Sequence, residues 1–174
     1  MGTEEIGRVL QKKLAAADKV LIGIGAEWKK EGAKQGAERL KGFLDGSDYY
    51  VITSLDGEDV SRLGFERTHM AAPLDVSFTE EEWDAYMGWL GRTLNRSLLI
   101  LELGEGFERP GLFRWPFEKA AAVNQKACLY RIHKRLYQIS EELSERAVGV
   151  AADSVEFILS LGEKEEGSHG SDQQ

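Results

Sequence analysis

Four short apolar runs constrain this chain more than any other feature: KVLIGIGA at 19–26, YYVITSL at 49–55, SLLILEL at 97–103 and CLYRIHK at 128–134. The first and third carry no polar alternation, which is the mark of strands covered on both faces. The stretches between the runs repeat their apolar residues at helical spacing. Strands alternating with helices make βα units, and such units close as a mostly parallel sheet with helices on both faces. The expected class is therefore α/β. Ligands of such sheets bind beyond the carboxyl ends of the strands, where strand order changes direction. The loops that follow residues 26, 55, 104 and 134 are the ones to read for function.

Ile6, Val9, Leu10 and Leu14 form one stripe, predicting a helix over 4–17 capped by Thr3, and a second helix is expected over 29–44. Asp56-Gly57 opens a turn, and Gly64 ends a short helical piece at 61–63. Residues 65–78 show no clear period. Thr79 and Glu82 have the spacing of a capping box, and the stripe Trp83, Tyr86, Met87, Leu90 and Leu94 that follows reads as core. Pro116 suits the first turn of a helix reaching 125, and further helices are expected over 140–147 and 155–161, the last capped by Asp153. One domain over 1–162 is expected, with a polar, disordered tail over 163–174.

Twenty-two Lys and Arg stand against thirty Asp and Glu, a net charge of -8. Such a chain lacks the clustered cations by which nucleic acids and anionic membranes are met. No run approaches the roughly 20 apolar residues of a membrane span. Cys128 is the single cysteine, which excludes an intrachain disulfide and any cysteine-rich zinc or iron-sulfur centre. A cytoplasmic protein with neither nucleic acid nor membrane as partner is expected.

The first loop, Gly23-Ile24-Gly25-Ala26-Glu27-Trp28, has glycines that let backbone approach a ligand, although tight-turn needs explain them as well. Trp28 stands where a dinucleotide fingerprint has its third glycine. Thr53, Ser54 and Asp56 place two hydroxyls and a carboxylate at the second strand end, where turn capping is the competing role. The third connection holds Gly104, Glu105, Gly106, Arg109, Pro110, Gly111, Arg114 and Glu118, more chemistry than a turn requires. His133 and Arg135 end the fourth run and face either solvent or a cleft.

The order of these segments resembles the sirtuin family, especially its short, zinc-less, divergent bacterial relatives. VLIGIGA resembles the family's first strand and glycine loop, and YYVITSLDG its strand ending in Thr-Gln-Asn-x-Asp-Gly. Residues 98–139 resemble the family's Glu-x-Gly-x-Gly-Phe, Pro-Gly and Arg-x-Pro-Phe-Glu arrangement. The resemblance implies a Rossmann-like NAD-binding domain without a zinc subdomain. The dinucleotide would lie over Gly23, Gly25, Ala26 and Glu27, with Thr53, Ser54 and Asp56 toward the nicotinamide. Gly104, Glu105 and Gly106 would lie along the adenosine, His133 at a ribose-contacting position, and Ala152-Asp153 over the adenine.

The implied catalytic residues are Asp56 and His69, the latter near the place of the family's catalytic His-Gly, with a chance loop histidine as the alternative. Departures are plain: Glu27 replaces a serine, TSLD lacks the family's Asn, and Met70 replaces the Gly after His69. The resemblance thus implies NAD as cofactor and an NAD-consuming deacylase, ADP-ribosyltransferase or NAD hydrolase. The alternative is a catalytically inactive sensor or scaffold that binds NAD or an ADP-ribose-containing molecule. The sequence does not name a protein substrate.

Overall fold

The computed structural model describes residues 2–162, so the expected tail at 163–174 lies outside the described residues. Its strands are β1 (Lys19–Ile24), β2 (Tyr49–Thr53), β3 (Met70–Ala71), β4 (Leu98–Leu103), β5 (Ala127–His133) and β6 (Ala147–Ala151). They form one sheet in the order β3-β2-β1-β4-β5-β6, and every pair is parallel. This is the order of a Rossmann-like α/β sheet. The helices are α1 (Thr3–Ala16), α2 (Ala33–Leu44), α3 (Gly57–Leu63), α4 (Glu80–Gly91), α5 (Arg114–Val123) and α6 (Ser154–Ser160).

Period-two alternation sorts the strand side chains between two cores. Val20, Ile22, Ile24, Val51, Leu99, Leu101 and Ile132 meet α1, α2, α3 and α6 on one face. Leu21, Ile52, Ile100 and Leu129 meet Tyr86 and Trp89 of α4 and Phe113 and Phe117 beside and in α5 on the other. Both faces of the central strands are covered, which is why their sequences show no polar alternation.

Several expectations are corrected. The helix expected over 140–147 does not form; a single 3-10 turn, Glu141–Leu143, leads into β6 instead. The segment AVGVA suits a strand because Val148 and Val150 are β-branched, and Gly149 lets the Tyr137 carbonyl occupy the space a Cβ would need. After β1 the chain makes a 3-10 turn, Ala26–Trp28, and α2 begins only at Ala33. Thr3 lies inside α1 and makes no capping bond; Gly2 holds the cap position. Thr79 does cap α4, accepting from Glu82 N at 3.2 Å, and Asp153 caps α6, accepting from Glu156 N at 3.0 Å. The expected α4 stripe is only partly core: Tyr86 is buried, whereas Trp83, Met87 and Leu94 are 37%, 45% and 60% exposed, and the helix's other buried ring, Trp89, lay outside the stripe. Leu94 falls beyond the end of the helix, so its helical phase was never realised.

Two charges are fully buried between β4 and β5. Glu102 and Arg131 are register partners, and Arg131 donates to both Glu102 oxygens, to Glu118 at 2.8 Å and to the Gln138 carbonyl at 2.8 Å. Arg114 lies 3.9 Å from Glu102. Burial pushes the Glu102 carboxyl above its ordinary value against the pull of Arg131. Removing one member strands the other without water. Arg131→Met is expected to lower the unfolding free energy by about 3–5 kcal/mol in urea denaturation, and adding Glu102→Leu to recover most of it. Equal stability of the single variant and the parent would contradict this.

Candidate functional site

The switch in strand order falls at β1, since the chain leaves it toward β2 and β3 and returns on the opposite side as β4. A cleft of about 250 Å³ opens there, at the carboxyl ends of the strands. Ala26 and Lys29 line it from the loop after β1, and Ser54 and Asp56 from the end of β2. Glu105, Glu108 and Arg109 line it from the loop after β4, and Leu74 from the segment after β3. A larger hollow of about 420 Å³ between α2 and α3 is lined by surface groups such as Lys34, Glu38 and Glu58, and no strand end reaches it.

Glu105 dominates the cleft. Its residue surface is 3% exposed; Oε1 accepts from Ser54 Oγ at 3.4 Å, while Oε2 is buried without a hydrogen-bond partner. Burial raises the carboxyl from 4.5 to about 7, against smaller lowering by Ser54 and the Gly106 backbone. Several contacts hold it in place. Gly104 turns the chain at φ +74°, and Gly25 packs so closely that a Cβ there would stand 2.5 Å from Glu105 Cα. Arg114 donates to the Glu105 carbonyl at 3.3 Å and to the Leu136 carbonyl at 3.1 Å, with the Phe107 ring 4.2 Å from its guanidinium.

The segment after β3, which brings Leu74 to the cleft, is fixed by Asp75. Its Oδ1 accepts from Gly57 N at 2.7 Å and its Oδ2 from Ser77 and, at 3.1 Å, from Arg67. Those bonds, Ser77 first, hold its carboxyl well below the usual carboxylate range. Leu74, the residue before Asp75, lines the cleft together with Asp56, the residue before α3.

The expected site residues divide sharply. Ala26, Ser54, Asp56 and Glu105 share the cleft, whereas Gly106, the next residue, does not line it, and a Cβ there would make ordinary contact with Leu136 at 3.5 Å. Gly23 and Gly25 do not present free backbone: a Cβ at Gly23 would stand 2.5 Å from the Phe113 ring, and Gly25 is closed by Glu105. Gly104 is closed likewise, by Glu27 Cβ at 2.5 Å. Glu27 is an internal latch. Its Oε1 accepts from Ser154 N at 3.0 Å and Ser154 Oγ at 2.7 Å, and its Oε2 from Lys134 N at 2.9 Å. Thr53 is buried and caps the turn, donating to the Ile24 carbonyl at 2.7 Å and accepting from Leu55 N at 3.1 Å. Asp153 is spent on the α6 cap and on Lys30, and Ala152 N donates to the His133 carbonyl at 3.3 Å.

His133 Nδ1 accepts from Arg135 N and Leu136 N, both at 2.9 Å, so that nitrogen carries no proton. Burial lowers its pKa, and the neutral ring forms no ion pair with Glu27 Oε2 at 3.7 Å. The general-base expectation for His69 is corrected by position. Its ring stacks on Tyr49 with centroids 4.6 Å apart, and Nδ1 lies 3.1 Å from the Tyr49 carbonyl. Tyr49 opens β2, so His69 sits at the amino end of the sheet, opposite the cleft.

Lys29 and Glu108 were not foreseen as site residues, and Arg109 only as part of a long binding loop. Their shared signal is a place just beyond a strand end. Among the described residues no cluster of His, Cys, Asp or Glu is arranged to hold a metal ion. No described helix is long and apolar enough to cross a membrane. No protein-family model matches the chain, and no curated protein matches it.

Two outcomes test this map. Glu27→Ala removes the acceptor of the part-buried Ser154 N–H and of the exposed Lys134 N–H, and is expected to cost about 1–3 kcal/mol of stability, measured by thermal or urea unfolding. Glu105, with a folded-state pKa of about 7 against an unfolded value of 4.5, binds its proton more tightly when folded. Its stabilising contribution is complete below pH 4.5 and is lost as pH rises through about 7. Above that range Glu105→Gln is expected to be more stable than the parent by on the order of 2 kcal/mol, and a parallel pH profile for the two proteins would contradict the assignment.

Proposed function

We propose that this protein binds NAD or another ADP-ribose-containing ligand in the cleft beyond β1, β2 and β4. The observation that carries the reading is the composition of the cleft: a buried carboxylate with one unpartnered oxygen, flanked by Lys29 and Arg109. A ribose diol offers two donors to such a carboxylate, and phosphates need cations and N–H donors. Neither cation is held by an ion pair among the described residues. The place at the strand switch and the sirtuin-like residues 98–139 support the same ligand class.

The glycines do not fit a pyrophosphate laid across them, because the chain's own atoms fill that space. The ligand is therefore proposed to enter beside the glycine loop, past Lys29, rather than over Gly23 and Gly25. At about 250 Å³ the cleft is below the roughly 300–1,000 Å³ of pockets that engulf a drug-sized ligand. It suits one ribosyl half of a dinucleotide, the other half lying along the rim. The single cysteine supports a cytoplasmic location.

Titration of NAD with protein, followed by proton NMR, is expected to broaden the adenine and nicotinamide signals. Lys29→Ala and Arg109→Ala should each weaken binding by roughly tenfold, the loss of about 1.4 kcal/mol. NAD signals unchanged by folded protein at any concentration would overturn the reading.

A further inference from the structure

Resting on the NAD-binding reading, we infer that the cleft is hydrolytic and that Glu105 is its general base, with water as the acceptor. Buried polar atoms are almost always partnered. The other buried or half-buried carboxylates around this end of the sheet obey that rule: every oxygen of Glu27, Glu102, Asp75 and Asp153 meets a donor. Glu105 Oε2 alone does not, and Glu105 lines the cleft. Its partner must arrive with the ligand.

Position favours chemistry over mere adhesion. Glu105 is held by the close approach of Gly25, by Arg114 on its carbonyl and by Ser54 on its other oxygen, the rigidity that a proton acceptor needs. The charged groups around it are Glu102 and Arg114 beneath, and Asp56, Glu108, Lys29 and Arg109 along the cleft. Burial sets its carboxyl to ionise near neutral pH, where a base is most effective. Among the described residues neither histidine competes, since His69 is at the far end of the sheet and His133 Nδ1 is taken by two backbone donors. The acceptor is small because the cleft is small and Leu74, fixed through Asp75, closes its β3 side.

The step balances without a redox partner. The water oxygen forms a bond to the ribosyl carbon that carries the pyridinium. The carbon–nitrogen bond breaks, and its electron pair stays on nitrogen, which leaves as neutral nicotinamide. One water proton passes to the Glu105 carboxylate and then to solvent; the other remains on the new ribose hydroxyl of ADP-ribose.

Full-length protein and NAD, followed by proton NMR, read binding from line broadening and turnover from free nicotinamide. Expected are both signals for the parent, with a rate that rises with pH and levels above about 7. Glu105→Gln should weaken NAD binding by roughly tenfold, as expected of a ribose contact, and even when saturated with NAD release nicotinamide at least about 100-fold more slowly than the saturated parent, with partial recovery in Glu105→Asp. Line broadening with no nicotinamide release from the parent would overturn the inference and leave the binding reading intact. So would equal rates for Glu105→Gln and the parent, or, should the Gln variant not fold, a flat rate between pH 5.5 and 8.5. Absence of broadening would overturn the binding reading and this inference together.

Discussion

The ion pair between Glu102 and Arg131 anchors the cleft end of this molecule. Two adjacent strands place opposite charges in register inside the sheet, and neither charge is tolerable alone in so dry a setting. The pair recruits Glu118 from α5 and stands beside Arg114, the first residue of that helix. Arg114 in turn grips the carbonyl of Glu105, three residues beyond Glu102. A buried charge cluster thus sets the loop that carries the cleft's carboxylate. The cluster also satisfies Leu136 and Gln138 carbonyls in the chain between β5 and β6, so both sides of the sheet's second half are tied to it.

Much of the fold was legible because burial on two faces leaves a plain signature. The runs at 19–26, 49–55, 97–103 and 128–134 became β1, β2, β4 and β5, and the capping signals of Thr79 and Asp153 opened α4 and α6. Edge strands were the weak point. β3 has only Met70 and Ala71, too few for any period, and β6 is half-exposed with a glycine at its centre. Both depend on tertiary packing rather than on local pattern: β3 on Val51 and Ile52, β6 on the Tyr137 carbonyl reaching over Gly149.

The site was legible in place more than in residue. Reading the loops beyond the strand ends found Ser54, Asp56 and Glu105 together, but it could not separate a group that serves a ligand from one that serves the fold. Glu27 shows why. In sequence it is a carboxylate in a glycine loop; in space its three acceptor bonds lock that loop to the chain after β5 and to the start of α6. The glycines mislead in the same way, since the close approach they permit is made by Phe113 and by the Glu105 backbone. Arg114 and Glu118, read as part of a binding loop, belong to the buried charge cluster instead. What remains for a ligand is the carboxylate that the fold leaves unpartnered.

The central claim is that Glu105 is a buried, ligand-facing carboxyl that titrates near neutral pH. Carbon-13 NMR of the glutamate side-chain carboxyls, with Glu105→Gln to assign the signal, tests it directly. The account predicts a Glu105 carboxyl that titrates at about 7 and whose shift moves when NAD is added. A Glu105 signal that titrates in the ordinary carboxylate range and ignores NAD would contradict it.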